Sequence, residues 1–221
     1  MYGKHVAFKG LLYGFIAVAS WLCAGTAVAG LYDNVMSVDE SPVEFSLGAA
    51  RYRIPRNYLS QMSDWSGGPQ EYAAIRVTYP GLKPFSQETE SCMRHKTPCR
   101  IYEVNLRDKF QAWEDGGANR EEVEHPEWGK PGPYGFTLFT RGPENARSDF
   151  YRKIVDGKPI MFFCLPYDVD GKRGAVCNHA AHTSSGATLF YFFDLNGLRD
   201  AVEVDEALRQ LVDGFSIKEN K

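Results

Sequence analysis

Along most of this chain apolar and polar positions alternate with a period of two. Residues 43–47 (Val-Glu-Phe-Ser-Leu) put one face inward, Gly48-Ala49 turns, and residues 50–54 return with Tyr52 and Ile54 inward. That pattern predicts a hairpin, which Pro55 ends. Residues 72–79 read as a third strand stopped by Pro80-Gly81, and residues 86–94 are polar enough for a short surface helix or loop. Residues 99–106 alternate again, with Tyr102, Val104 and Leu106 on one face and Ile101, Glu103 and Asn105 on the other. Further strands are expected at 134–140, 149–155, 159–165, 175–181 and 188–194, the last (Thr-Leu-Phe-Tyr-Phe-Phe-Asp) being the strongest. Between them, residues 167–174 read as a turn-rich tip. Residues 112–133, rich in Gly, Pro and acids with no apolar period, read as a long loop. Near the C-terminus Val204, Ala207, Leu208, Leu211, Val212 and Phe215 fall on one face at helical spacing. Seven or eight strands before one good helix predict an α+β fold: a mainly antiparallel twisted sheet with a C-terminal amphipathic helix packed on it.

The first 29 residues break the pattern. Lys4 and Lys9 form a basic leader, residues 10–24 are apolar and uncharged, and Ala27-Val28-Ala29 offers the small-x-small motif of signal peptidase before Gly30. A rival reading is an uncleaved anchor, because residues 11–32 carry no charge for 22 positions, just enough to span a bilayer. Cys23 is not a lipid-attachment site, since bulky Leu22 precedes it. Either way the body is expected outside the cytoplasm, in the periplasm, and it touches a membrane only if the segment is uncleaved. Cleavage leaves residues 30–221 as a single α+β domain, 192 of the 221 residues, long enough to bury a real core. It also removes two lysines, which takes the formal charge from −3 to −5. A mildly acidic body is poorly suited to nucleic acid and better suited to a basic protein.

Cys92, Cys99, Cys164 and Cys177 remain, an even count that suggests two disulfides in an exported chain. Four cysteines allow three pairings. Proximity favours Cys92–Cys99, closing a short loop, and Cys164–Cys177, tying two strands either side of a turn.

Candidate chemistry is sparse. Cys177-Asn178-His179-Ala180-Ala181-His182, with Cys164 nearby, has the residue types of a zinc site. Oxidation of the cysteines competes with that, and strand alternation puts Cys177 and His179 on one face and His182 on the other, so a disulfide with surface histidines is expected and no metal. Asp168-Val169-Asp170-Gly171 opens like a calcium loop but lacks the later acidic ligands, and it reads as a hairpin tip. No Gly-x-Ser-x-Gly elbow occurs, and bridged cysteines leave no thiolate nucleophile. No catalytic residue and no cofactor is therefore expected.

The long loop carries the densest charge. Glu114, Asp115, Glu121, Glu122, Glu124 and Glu127 are offset only by Arg120 and Lys130, and Trp113 and Trp128 bracket the acids. Acids alone describe a solvated loop. Acids flanked by tryptophans also describe a protein-binding surface, in which charge steers a basic partner and the indoles anchor it.

Three stretches carry a resemblance. They are residues 45–58 (Phe-Ser-Leu-Gly to Tyr-Arg-Ile-Pro-Arg-Asn-Tyr), residues 77–82 (Val-Thr-Tyr-Pro-Gly-Leu) and residues 204–215 (Val-Asp-Glu-Ala-Leu-Arg-Gln-Leu-Val-Asp-Gly-Phe). Together with a cysteine pair before an aromatic strand, their order resembles the exported immunity proteins that accompany antibacterial type VI secretion effectors. The resemblance spans most of the mature chain through structural motifs, none of them a catalytic signature. It implies a non-enzymatic protein that binds and occludes a toxin acting in the periplasm, and it transfers no site residues position by position. Two other functions fit the residues, an envelope ligand-binding or structural module and a small exported hydrolase.

Overall fold

The alternation at the start of the body folds as a hairpin. In the computed structural model, which describes residues 36–60, 63–108, 125–143 and 147–218, β1 (Pro42–Leu47) pairs antiparallel with β2 (Ala50–Pro55). Phe45 faces Tyr52 and Val43 faces Ile54 across the pair, and all four are buried while Glu44 and Arg53 point to solvent. β3 (Gly68–Gln70) adds to β1 in parallel. Its three residues, Gly-Pro-Gln, carry no apolar alternation, so the sequence gives no sign of it.

The larger sheet has eight strands: β4 (Tyr72–Tyr79), β5 (Arg100–Arg107), β6 (Lys130–Pro131), β7 (Thr137–Arg141), β8 (Ser148–Val155), β9 (Lys158–Val169), β10 (Lys172–His182) and β11 (Thr188–Asp194). Their order is β4-β5-β11-β10-β9-β8-β7-β6, and every neighbouring pair is antiparallel. A short helix, α1 (Glu90–Met93), lies between β4 and β5. From β11 a 3-10 turn (Leu195–Asp200) leads into α2 (Ala201–Gly214), and the Asp194 carboxylate accepts the Asn196 and Gly197 N–H groups at the turn's start.

The helix buries the stripe its spacing predicts. Ala201, Val204, Leu208 and Val212 lie at i, i+3, i+7 and i+11 and are fully enclosed. They share one core with Phe45, Leu47, Tyr52 and Ile54 of the hairpin and with Ile75, Val77, Tyr102, Val104, Leu106 and Tyr191 of the large sheet. Past the helix the chain returns to β2: the Arg53 N–H donates to the Phe215 carbonyl at 2.9 Å, and the Ile217 N–H donates to the Arg51 carbonyl at 2.8 Å. Phe139, Phe150 and Met161, on β7, β8 and β9, form a separate small core. The architecture is α+β, a mainly antiparallel sheet with a C-terminal helix packed on it.

Three expectations need correction. Eleven strands occur among the described residues rather than seven or eight: each of the nine stretches named as strands forms one, and β3 and β6, too short to carry a period, add two. The expected tip at 167–174 is a two-residue turn: β9 runs to Val169 and β10 begins at Lys172. Asp170 and Gly171 have φ of 52° and 74°, the left-handed pair that a tight hairpin needs and that Asp-Gly supplies. Finally, β7 begins at Thr137 rather than 134, since Pro133–Gly135 makes a 3-10 turn, and β6 lies inside the stretch expected to be loop.

Both expected disulfides form. Cys92–Cys99 joins α1 to the start of β5. Cys164 and Cys177 sit directly opposite each other on β9 and β10, Cα atoms 4.0 Å apart and fully buried. The signal at 1–29 and the acids and tryptophan at 113–124 lie outside the described residues.

Candidate functional site

Of the residues expected to bind a partner, Glu127 and Trp128 fall within the described part; Trp113, Glu114, Asp115, Glu121, Glu122 and Glu124 do not. Glu127 and Trp128 belong to a 3-10 turn, Pro126–Trp128, leading into β6. The Trp128 indole is 57% exposed. It is nevertheless held in place, because the His125 ring stacks on it with centroids 4.2 Å apart and planes 12° from parallel. His125 Nδ1 lies 3.0 Å from Glu127 Oε1. The Glu127 carboxyl is held below the usual glutamate range by its own backbone N–H first and by His125 next. Beyond the tryptophan, Gly129 presses on β7 so closely that a Cβ there would overlap the Thr137 side chain and the Phe139 ring. The backbone under Trp128 is therefore pinned to the sheet edge while its indole stays exposed.

A second exposed surface was not anticipated. Beyond the core, β9 and β10 continue as a two-stranded ribbon on which Leu165, Tyr167, Val169 and Val176 are each 44–60% exposed. Leu165 lies opposite Val176, and Phe192, 47% exposed, stands on the same sheet face of β11. The alternation of Leu165, Tyr167 and Val169 was available in the sequence, but Asp168, Asp170 and Gly171 among them read as turn. Asp168 instead pairs with Arg173 across the ribbon at 3.1 Å, as befits a hairpin.

The histidines differ from expectation. His182 is exposed, whereas His179 is 6% exposed and lies beneath α2. Its Nδ1 is 2.7 Å from the Met161 carbonyl, which can only accept, so Nδ1 carries the proton. Its Nε2 lies 3.4 Å from Asp205 Oδ1 on the helix. Asp205, 1% exposed, also takes the Tyr191 hydroxyl at 3.4 Å and the Arg209 Nε at 2.9 Å. Burial pushes the Tyr191 hydroxyl well above the ordinary tyrosine range, and Asp205 beside it adds to the effect. Burial likewise pulls the His179 imidazole below its ordinary range, outweighing the opposite pull of Asp205. A cleft of about 730 Å³ opens over this cluster, with Lys158, Ile160, Val202 and Glu206 in its walls. Nδ1 donates to the Met161 carbonyl, and Nε2 faces the Asp205 carboxylate. Alternation had set Cys177 and His179 on one face, and Cys177 faces the core, so the burial of His179 was legible in that pairing.

Among the described residues no group of three His, Cys, Asp or Glu side chains is placed to hold a metal ion, and no helix is long and apolar enough to cross a membrane. No family model matches the sequence, and no curated protein matches it. Solved structures share the fold. One is an immunity protein of the Stenotrophomonas maltophilia type IV secretion system, 18% identical, with a TM-score of 0.56 over 81% of this chain and 94% of that one. Another is the Neisseria meningitidis iron-regulated outer membrane lipoprotein FrpD, 15% identical, with a TM-score of 0.55 over 83% of this chain and 97% of that one. The chain thus has the fold of a secretion-system immunity protein, and that fold also serves an outer membrane lipoprotein.

Proposed function

We propose that this protein is an exported immunity protein that binds a cognate antibacterial toxin in the periplasm and occludes its active site. The observation that carries the reading is Trp128, an exposed indole fixed by His125 on a backbone pinned to the sheet edge. It closes an acidic run in which Glu114, Asp115, Glu121, Glu122 and Glu124 precede Glu127. In this reading the acids steer a basic toxin and Trp128, with Trp113, anchors it. Toxins that act on phospholipid or peptidoglycan handle anionic substrates, so a basic approach to their active site is the surface an acidic inhibitor would cover. The shared immunity-protein fold and the two disulfides support an exported toxin-binder. The sequence resemblance points to a type VI effector as the toxin. The reading assigns no reaction and no cofactor to the chain.

A second reading, an envelope ligand-binding module, draws on the cleft beneath α2 and on the fold shared with a lipoprotein. One experiment separates the two. The tagged protein is captured from the cell envelope and what comes with it is identified by mass spectrometry. The first reading expects a protein whose enzymatic activity disappears at one equivalent of this chain. Recovery of a small molecule, or of a protein whose activity is unaffected, would overturn it.

A further inference from the structure

Past the Cys164–Cys177 bridge, the β9–β10 ribbon keeps two chemically distinct faces. Residues directly opposite each other share a face. Val169 and Lys172, Tyr167 and Gly174, and Leu165 and Val176 therefore lie on one face, while Asp168 and Arg173 lie on the other and pair there at 3.1 Å. Asp194 of β11 stands opposite Val176, with Phe192 two residues before it on the same face. The first face is thus an apolar strip of Val169, Tyr167, Leu165, Val176 and Phe192, none of them part of either core. A cation, Lys172, ends the strip at the tip, and a carboxylate, Asp194, flanks its base. The two charges stand in rows four residues apart along β10, roughly 13 Å.

Tyr167 occupies the middle of the strip. A Cβ at Gly174 would overlap its hydroxyl and ring, so the ring lies across β10 where glycine leaves room. It is restrained there and still 45% exposed.

We propose that this strip is a dimer interface, in which two copies of the chain stack their ribbons face to face, tip to base, about a twofold axis beside Tyr167. The charges select both the occupant and the orientation. Stacked tip to tip, Lys172 would meet the partner's Lys172 and Asp194 the partner's Asp194. Stacked tip to base, each Lys172 meets the partner's Asp194, Val169 covers the partner's Leu165 and Val176, and the two Tyr167 rings come together. Asp194 keeps an oxygen for this contact, because Oδ1 alone accepts the Asn196 and Gly197 N–H groups. Other occupants fit less well. Asp168 and Asp170 cancel Lys172 and Arg173, so the ribbon has no net charge with which to draw a basic toxin or bind an anionic bilayer. Stacking on a second copy needs only complementary ends. Five side chains, each roughly half exposed, bury at most about 1,000 Å² over the two copies, the lower end of specific interfaces, so the dimer is weak and reversible.

The test is sedimentation equilibrium on the disulfide-intact protein from about 5 to 500 μM, a range that brackets such an affinity. Expected is a monomer–dimer equilibrium with its midpoint inside that range. Tyr167→Ser should move the midpoint at least about tenfold higher and leave the melting temperature unchanged. Carbodiimide coupling in a mixture of isotope-labelled and unlabelled chains should join Lys172 of one copy to Asp194 of the other. A monomer at every concentration would overturn the proposal. So would a dimer that Tyr167→Ser leaves as tight, or one in which no Lys172 is joined to the partner's Asp194. A monomer whose Tyr167→Ser variant loses binding only to phosphatidylglycerol vesicles, or only to a captured toxin, would overturn it too and assign the strip to that occupant.

Discussion

Trp128 shows how one residue can be exposed and rigid together. Its indole loses little freedom on binding because the His125 stack and the Gly129 contact with β7 have already restrained it, and restraint present before binding lowers its cost. Trp128→Ala should therefore speed dissociation of the toxin about 30-fold, the effect of losing an anchor worth roughly 2 kcal/mol. The melting temperature should hardly move, since an exposed side chain outside the core contributes within about 0.5 kcal/mol. Surface plasmon resonance and a melting curve on the variant check both halves. His179 is the counterpart inside the molecule. The string that holds it and His182 looks like a surface motif, yet strand alternation assigns the two rings to opposite faces. Composition alone could not tell them apart; the partner of Cys177 could.

At the scale of elements, legibility followed burial. β11 and α2 bury the faces their spacing predicts, because each has one face in the core and the other largely exposed, whereas β4, buried on both faces at Ala73, Ala74, Ile75, Val77 and Thr78, is bounded by Pro80-Gly81. The ribbon end of β9–β10 is exposed on both faces from Leu165 to Arg173, so the alternation of Leu165, Tyr167 and Val169 marks no core face, and Asp168, Asp170 and Gly171 among them read as a turn. β3 and β6, three and two residues long, exist through backbone pairing that leaves no trace in side-chain pattern. The acidic run belongs at this scale as well, since its effect is that of a charged segment and not of one carboxylate. Reversing Glu121, Glu122 and Glu124 to lysine should slow toxin association about tenfold at low salt, with the difference shrinking as salt rises. Stability should survive, because exposed charges contribute little to it. Stopped-flow association at two ionic strengths, beside a melting curve, measures this. An unchanged rate in a folded variant would clear the acids of a role.

For the whole molecule the disulfides mark where it works. Cys164–Cys177 crosses two central strands of the large sheet and is fully buried, so the folded sheet shields it from solvent. Replacing both cysteines by serine removes a 13-residue cross-link and should lower stability by about 3 kcal/mol, read from urea unfolding of the oxidised protein and the variant. A chain with this bridge is suited to an oxidising compartment, which is the setting the proposed role requires. The shared fold fits that role but is not sufficient for it, since a lipoprotein uses the same fold. The role itself is tested by deleting the gene and competing the deletion strain against its parent on a surface. The account predicts that the deletion strain is killed, only by parents with an intact secretion system, and that returning the exported protein restores survival. Equal survival of the deletion strain beside secreting parents would contradict it.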